Sequence, residues 1–487
     1  MFGPALTLVL ALASSAVIAI PTDDVKTATD FISKKLNLGA NDFKVFNSYT
    51  DYAGISHVYG AHILNGARIA NHQAAAHVKN GQVTFFSSSF GTSQHFDKRD
   101  LIISEPKATL DFAKASATAS AQLGIPVDSE FEHALEYVEQ PDGKIVYAYK
   151  LQLRNNPVTK WVEVWCDATT GKVIQAVDFV KKATSSPNGW TAGKATEGNN
   201  VITLTPSGRT TPATSDGVFD TQFDSRGVPG TDANIAAAAV NLFYLSNMMH
   251  DITYQYGFTE QAGNFQTNNF GRAEEECLDN GIAIHEYAHG VSVRLTGGPA
   301  TSGCLATKEA GGMGEGWSDM MTLFILAKSS DTATTSIPMG TYVTGRQSGV
   351  RSRPYTTDMR VNPLTYGDLR TLKEVHDVGE VWASLLWEVY WSLVTKHGFS
   401  SNLYDANQSA GNIVTMRIII GGMMLQQCNP TFLSARDAIV AADINHYKGA
   451  NKCEILKAFA KRGLGSRATN NYNNDFSVPS ECGGNAL

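Results

Sequence analysis

The sequence predicts an α+β protein in which a part that mixes helices and strands precedes a part that is mainly α-helical. Residues 20–182 alternate short strand patterns of period two with stretches of helical spacing. Residues 183–230 are rich in Thr, Ser, Gly, Pro and Asn, a composition typical of loops and of a domain boundary. Beyond them, apolar residues recur at helical spacing almost to the end of the chain.

Each part has its own predicted elements. In residues 20–182 we predict helices over 27–38 and 110–123, and strands over 56–64, 73–78, 83–88, 145–154, 160–166 and 173–179. In the later part we predict helices over 235–256, 281–295, 314–327, 375–396, 410–427, 430–446 and 453–462.

Composition excludes several classes of protein. The chain has 487 residues, which is enough for more than one domain. Hydrophobic residues make up 43% and charged residues 17%, as in ordinary globular proteins and unlike disordered ones. The net charge is −7 and the sequence has no basic block, so we expect no nucleic-acid partner.

The first residues predict export. Residues 2–20 form an apolar run whose end, Val17-Ile18-Ala19, has small residues of the kind that signal peptidase requires. The run is shorter than the ~20 residues that a membrane span needs. We therefore predict a signal peptide over residues 1–19 and a secreted protein with no membrane partner. A buried N-terminal helix or an anchor is the alternative.

Six cysteines are present, and none of them forms a CxxC pair. An exported protein can form disulfides. We predict two bridges among Cys304, Cys428, Cys453 and Cys482, whose connectivity the sequence leaves open.

Residues 284–289 carry a candidate zinc motif. His285 and His289 are four residues apart, so a helix places both imidazoles on one face, where they can share a tetrahedral zinc ion. Glu286 lies beside them and can take a proton from a bound water molecule. The alternative is a pair of surface histidines on an ordinary helix, but the apolar residues around them predict a buried helix.

A second predicted helix completes the ligand set. Its Glu315 would give two histidines and one glutamate, leaving the fourth zinc position for water. Asp319 lies one turn later and is suitably placed to accept the spare N–H of a zinc-bound histidine. A purely structural site is less favoured, because such sites have four protein ligands and are rich in cysteine.

At these residues the sequence resembles the fungalysins, a thermolysin-like family of secreted fungal metalloproteases. The resemblance covers nearly the whole chain after residue 19, and the glycine-rich run 309–319 is its most specific part. The matching runs are 250–251, 256–260, 262–265, 281–298, 309–319, 362–366, 381–384, 428–430 and 458–465.

The resemblance implies a zymogen. Residues 20–182 would form an inhibitory and chaperoning propeptide, cut off near Lys182-Ala183. Residues 183–487 would form a two-lobed catalytic domain with one zinc ion, the zinc helix at the bottom of the cleft, and protein or peptide substrates. The mature enzyme would be a monomer.

Two further residues gain roles from the resemblance. His376 resembles the histidine that stabilises the tetrahedral oxyanion, and Arg351 resembles the substrate-binding arginine. From the residues alone, His376 lies at the predicted start of a helix and faces a cleft. A capping or core histidine is the alternative interpretation.

The sequence departs from the family pattern between residues 271 and 278. Asn269-Phe270-Gly271 is followed almost directly by the zinc helix, so the edge strand that would pair with an extended peptide is predicted to be missing. Two hypotheses remain. One is an active endopeptidase with Glu286 and His376 as catalytic residues. The other is a degenerate, non-catalytic zinc-binding secreted protein, or a truncated gene model.

Overall fold

The computed structural model describes residues 20–90, 103–155, 160–178, 224, 231–265 and 279–484. We call residues 20–178 the amino-terminal part and residues 231–484 the helical part. The predicted signal peptide, almost all of the predicted linker, the predicted cleavage point and the predicted shortening between 271 and 278 lie outside the described residues.

The amino-terminal part is built on one eight-stranded sheet in the order β1-β2-β3-β5-β6-β7-β8, with β4 paired to β3. All neighbours are antiparallel except β3 and β5, which are parallel. The helices are α1 (Thr22–Leu36) and α2 (Phe112–Leu123). The strands are β1 (Phe43–Thr50), β2 (Ile55–Leu64), β3 (Ala67–Lys79), β4 (Gln82–Ser88), β5 (Ala134–Glu139), β6 (Ile145–Arg154), β7 (Trp161–Asp167) and β8 (Val173–Asp178).

Most predicted strands are confirmed, but β1 and β5 were not predicted from the sequence. In β1, the pairing with β2 shifts register between Val45 and Asn47. A bulge of this kind breaks the alternation of apolar and polar residues by which a half-buried strand is predicted. β5 is short, and its first two residues are exposed.

The helical part contains eight α-helices among its described residues, and no β-strand. They are α3 (Asp232–Gln255), α4 (Asn280–Leu295), α5 (Lys308–Leu326), α6 (Thr341–Thr344), α7 (Val375–His397), α8 (Gly411–Leu425), α9 (Phe432–Tyr447) and α10 (Lys452–Lys461). The described helices include none that is both long and apolar enough to cross a bilayer.

Helix α5 begins at Lys308, six residues before the predicted start at residue 314. Thr307 caps it by accepting a hydrogen bond from the backbone N–H of Ala310. The predicted start lies too far along the chain because glycines dominate the first turns of α5, and glycine is a poor helix former. The glycines have a packing function instead.

Glycines let α5 and α7 approach until their backbones touch. A Cβ atom on Gly316 would lie 2.6 Å from the carbonyl oxygen of Gly379. A Cβ atom on Gly379 would lie 2.5 Å from the Cβ of Glu315. The glycine-rich run therefore fixes the position of Glu315 against the first turns of α7.

We expect Gly379→Ala to lower the free energy of unfolding by about 1–3 kcal/mol, because a methyl group there overpacks the core. Gly314→Ala is the matched control, since its Cβ would meet only the Leu305 side chain at an ordinary 3.6 Å. That control should be neutral or stabilising by up to about 1 kcal/mol, through helix propensity. Urea unfolding of both variants measures the difference. Equal stabilities would contradict the close approach.

Two disulfides form among the four predicted cysteines, which confirms that prediction. Cys304 is bonded to Cys428, and Cys453 to Cys482. The first bridge ties the loop before α5 to the loop after α8, and the second ties α10 to the C-terminal segment. Both cross-links lie within the helical part.

The amino-terminal part packs directly on the helical part. Tyr49, Tyr59 and Ala75 belong to the same hydrophobic cluster as the buried side chains of the helices. Gly298 has φ +90°, and a Cβ there would lie 2.8 Å from the Tyr59 ring. The Tyr59 ring therefore packs against Gly298 of the helical part, where any larger residue would clash with it.

Candidate metal centre

Helix α4 carries the two motif histidines on a buried surface. Asp279 caps the helix, accepting hydrogen bonds from the N–H groups of Gly281 and Ile282. His285 is 3% exposed and His289 is 7% exposed. Their rings are perpendicular, with centroids 4.7 Å apart. The spacing of four residues therefore brings the two imidazoles together as predicted.

Helix α5 supplies the carboxylate between them. Oε2 of Glu315 lies 3.2 Å from Nε2 of His285 and 3.5 Å from Nε2 of His289. One ligand atom from each of the three residues lies within 4.8 Å of the others. Among the described residues, this is the group of histidine and acidic side chains that could hold a metal ion.

Asp319 binds the Nδ1 side of the His285 ring, opposite the Nε2 that faces Glu315. Its Oδ1 accepts a hydrogen bond from His285 Nδ1 at 2.8 Å and from Arg351 Nη2 at 2.9 Å. Its Oδ2 accepts from Arg351 Nε at 2.7 Å and from the Tyr355 hydroxyl. The carboxylate is fully buried. With Nδ1 committed to Asp319, Nε2 of His285 faces Glu315 and is the ring nitrogen available to a metal ion.

The electrostatics of this cluster favour a cation. Burial alone would lower the pKa of His285, but hydrogen bonds to Asp319 and Glu315 raise it to about 10. Burial alone would also raise the pKa of Glu315 and of Asp319. The neighbouring His289 instead holds the pKa of Glu315 below its ordinary range, and Arg351 does the same for the pKa of Asp319. The carboxylates are therefore ionised at neutral pH, and positive charge among them is stabilised.

The donor set fits Zn²⁺. Nitrogen and carboxylate oxygen are ligands that zinc prefers, and three protein ligands are the number found in catalytic zinc sites. Nδ1 of His289 is buried, and no hydrogen-bond partner for it lies among the described residues. Nε2 of His289 is the ring nitrogen that faces Glu315, at 3.5 Å from its Oε2.

The remaining predicted residues lie around this cluster. Glu286 is half-buried on α4, next to His285. His376 lies in the first turn of α7, as predicted, with Nε2 3.4 Å from Oε2 of Glu315. Its Nδ1 lies 2.7 Å from Oε1 of Glu374, the capping residue of α7. The fold therefore brings His285, His289 and His376 together around Glu315, and Glu286 follows His285 on α4.

Sequence reasoning missed Tyr355 and Glu374. Tyr355 is fully buried and held by an isolated bridge to Ile337. Neither residue belongs to a motif or a periodic pattern. Their places in the site are known only from their contacts, which join Tyr355 to Asp319 and Glu374 to His376. Arg351 is turned toward Asp319 and is 7% exposed, so its proposed contact with substrate stays a prediction.

Comparison with known proteins gives the family. The model of the fungalysin metallopeptidases (M36) matches residues 160–277 and 272–468. The fungalysin/thermolysin propeptide motif matches residues 41–90. The chain belongs to the fungalysin metallopeptidase family. As a fungalysin it is a metalloprotease, and residues 41–90 are part of its propeptide.

Three fungal relatives show how far the similarity extends. The extracellular metalloproteinase MEP of Pyricularia oryzae is 33% identical, covering 91% of this chain and 86% of that protein. Extracellular metalloproteinase 9 of Coccidioides posadasii is 32% identical, and the match covers 94% of this chain and 89% of that protein. The extracellular metalloproteinase mep of Aspergillus fumigatus is 32% identical, and the match covers 92% of this chain and 87% of that protein.

This fungalysin is shorter than its relatives. The alignment with the Pyricularia oryzae protein extends over 557 positions but includes only 91% of the 487 residues here, about 443, so about 114 of its positions have no counterpart in this chain. The two matched pieces of the family model also meet at residues 272–277. The loss of an edge strand at this point stays a prediction.

Proposed function

We propose that this fungalysin is a secreted zinc endopeptidase that cuts extracellular proteins. The observation that carries the proposal is the convergence of His285, His289 and Glu315, with Glu286 adjacent to His285 on α4. Residues 1–19 would be the signal peptide, 20–182 the propeptide and 183–487 the two-lobed catalytic domain. The mature enzyme would hold one zinc ion and act as a monomer. Its relatives are named extracellular metalloproteinases, which supports export.

The residues around the site have complementary roles in peptide hydrolysis. Zinc, when bound by the three ligands, lowers the pKa of water toward 7 and polarises a carbonyl group. Glu286 takes a proton from the attacking water and later gives it to the leaving amine. His376 donates a hydrogen bond from Nε2 to the oxyanion as an imidazolium, whose Nδ1–H is bound by the Glu374 carboxylate.

Asp319 and Arg351 act as positioning residues for His285. The buried guanidinium binds both carboxylate oxygens, so the carboxylate cannot rotate away from the imidazole. The ring is thereby kept in the tautomer that leaves Nε2 free for the metal. These contacts support a preformed ligand set.

The propeptide is the proposed inhibitor of this site. The motif match over residues 41–90 lies in strands β1 to β4, which include the residues that pack on the helical part. A non-catalytic zinc-binding protein was the alternative hypothesis, motivated by the predicted loss of the edge strand. The comparisons do not favour it, because the chain matches metallopeptidases over most of its length.

Casein hydrolysis by the purified, processed chain tests the proposal. We expect hydrolysis that a zinc chelator abolishes and that added Zn²⁺ restores, with one zinc per chain by metal analysis. Unchanged hydrolysis after complete metal removal would contradict a metalloprotease. A processed, folded chain that holds one zinc and cuts no casein or peptide would favour the non-catalytic alternative.

A further inference from the structure

The loop between α7 and α8 carries a sequence signal that the metal centre does not use. Residues 407–409 are Asn-Gln-Ser, which matches the acceptor pattern for N-linked glycosylation, asparagine followed two residues later by serine or threonine. The chain has one other such triplet, Asn-Pro-Thr at 429–431, and proline in the middle position excludes the reaction. The sequence therefore offers Asn407 as its acceptor.

The middle residue of the triplet closes the loop from inside. Oε1 of Gln408 accepts a hydrogen bond from the Ser400 hydroxyl at 2.6 Å. Nε2 of Gln408 donates to the carbonyl oxygens of Asn402 and Asp405, at 2.8 Å and 2.9 Å. One partly buried side chain thus holds three other positions of the loop, so the loop has a defined shape.

The two residues that the reaction requires are on the outside of this loop. Ala406 is 2% exposed and belongs to the hydrophobic cluster of the helices. Asn407 and Ser409, in contrast, are both exposed. Oδ1 of Asn407 accepts a hydrogen bond from Nη2 of Arg417 at 3.3 Å, whereas its Nδ2 has no hydrogen-bond partner among the described residues. The folded loop therefore leaves room for a bulky group on Nδ2.

We propose that Asn407 carries an N-linked glycan in the secreted protein. The donor is an oligosaccharide joined through C1 to a lipid pyrophosphate. The bond from Nδ2 to C1 forms, the bond from C1 to the pyrophosphate breaks, the amide nitrogen loses one proton, and the lipid pyrophosphate leaves. The proposal rests on the export proposed above, because this transfer takes place inside the secretory pathway of eukaryotes. The fungal relatives named extracellular metalloproteinases support such a route.

Arg417 joins this position to the propeptide. Its Nε donates to the Tyr52 hydroxyl at 2.7 Å, and its guanidinium lies 4.5 Å from the centre of the Tyr52 ring. Tyr52 is 43% exposed, so this contact is at the edge of the surface between the two parts. Glycosylation changes Nδ2 of Asn407 and leaves Oδ1 as an acceptor, so the bond from Arg417 is kept. A glycan at Asn407 is therefore compatible with a bound propeptide, and it stays on the mature enzyme because it follows the predicted cleavage point.

Peptide mapping by mass spectrometry tests the proposal. The full chain with Glu286→Gln, which prevents self-cleavage, is produced in a fungal secretory host. In parallel, residues 20–487 of the same variant are produced behind a leader peptide of the host. Peptide N-glycosidase removes an N-linked glycan and leaves aspartate in place of the asparagine. We expect the exported chain to lose the mass of one glycan and to show aspartate at position 407. An exported chain with unmodified asparagine at this position would overturn the proposal.

Substitutions assign the glycan to the triplet. Asn407→Gln and Ser409→Ala should each be exported without the glycan, and Ser409→Ala does so with Asn407 and its contact to Arg417 in place. Ser401→Ala is the matched control, since Ser401 is an exposed serine of the same loop outside the triplet. This control should keep the glycan. A glycan that persists in Asn407→Gln, or one that is lost in the control as fully as in Ser409→Ala, would contradict the assignment.

The outcome is separate from that of the protease test, because mapping does not depend on peptide hydrolysis. A chain that hydrolyses casein and has no glycan would refute the glycan alone. A glycosylated chain that cuts no peptide would refute the protease alone. Export and glycosylation only behind the host leader would refute the predicted signal peptide and would still support the acceptor site at Asn407.

Discussion

Glu286→Gln should reduce kcat/KM for a peptide substrate by about 10²–10⁴-fold, the contribution of general acid–base catalysis, while the chain keeps its zinc. Glutamine has nearly the same shape as glutamate but cannot take the water proton. Glu286 is not one of the three converging ligands, so the bound metal should remain. Steady-state kinetics and metal analysis of the processed enzyme measure the two quantities.

Glu454→Gln is the control for this change. Glu454 lies on α10 in a partly exposed ion pair with Lys396. Such pairs contribute little to stability, typically about 0–1 kcal/mol, so kcat/KM should not change. Hydrolysis by Glu286→Gln at the rate of this control would show that Glu286 is not the base.

The second large effect is expected from Asp319→Asn. The variant loses the negative charge that orients His285 and leaves the Arg351 guanidinium buried without its counter-ion. Replacing an outer partner of a zinc ligand weakens metal binding by about 10–100-fold. Competition with a chromogenic chelator measures the zinc dissociation constant directly, without reference to activity.

Asp443→Asn separates zinc affinity from general stability. Asp443 is also fully buried, but it accepts hydrogen bonds from Asn451 and lies on α9. We expect this control to lose stability while its zinc dissociation constant stays unchanged. Equal zinc dissociation constants for Asp319→Asn and the native chain would show that His285 needs no carboxylate partner.

Local patterns in the sequence determined much of the candidate site. A spacing of four residues is one helical turn, so His285 and His289 had to share a face once the helix formed. The same rule related Glu315 to Asp319. Strand β6 was predicted with its observed bounds, Ile145–Arg154. In each case the information is local, since a few neighbouring residues define the pattern.

Only the tertiary structure decided which distant residues meet. Arg351 and Tyr355 join Asp319 across more than 30 positions of sequence, and no pattern in the chain encodes that distance. The pairing of Cys304 with Cys428 and the contact between His57 and His77 are decided in the same way. The sequence by itself determined the metal motif and most elements. The packing of α5 on α7 and of the sheet on the helices decided how these groups act together, because such packing depends on the whole core.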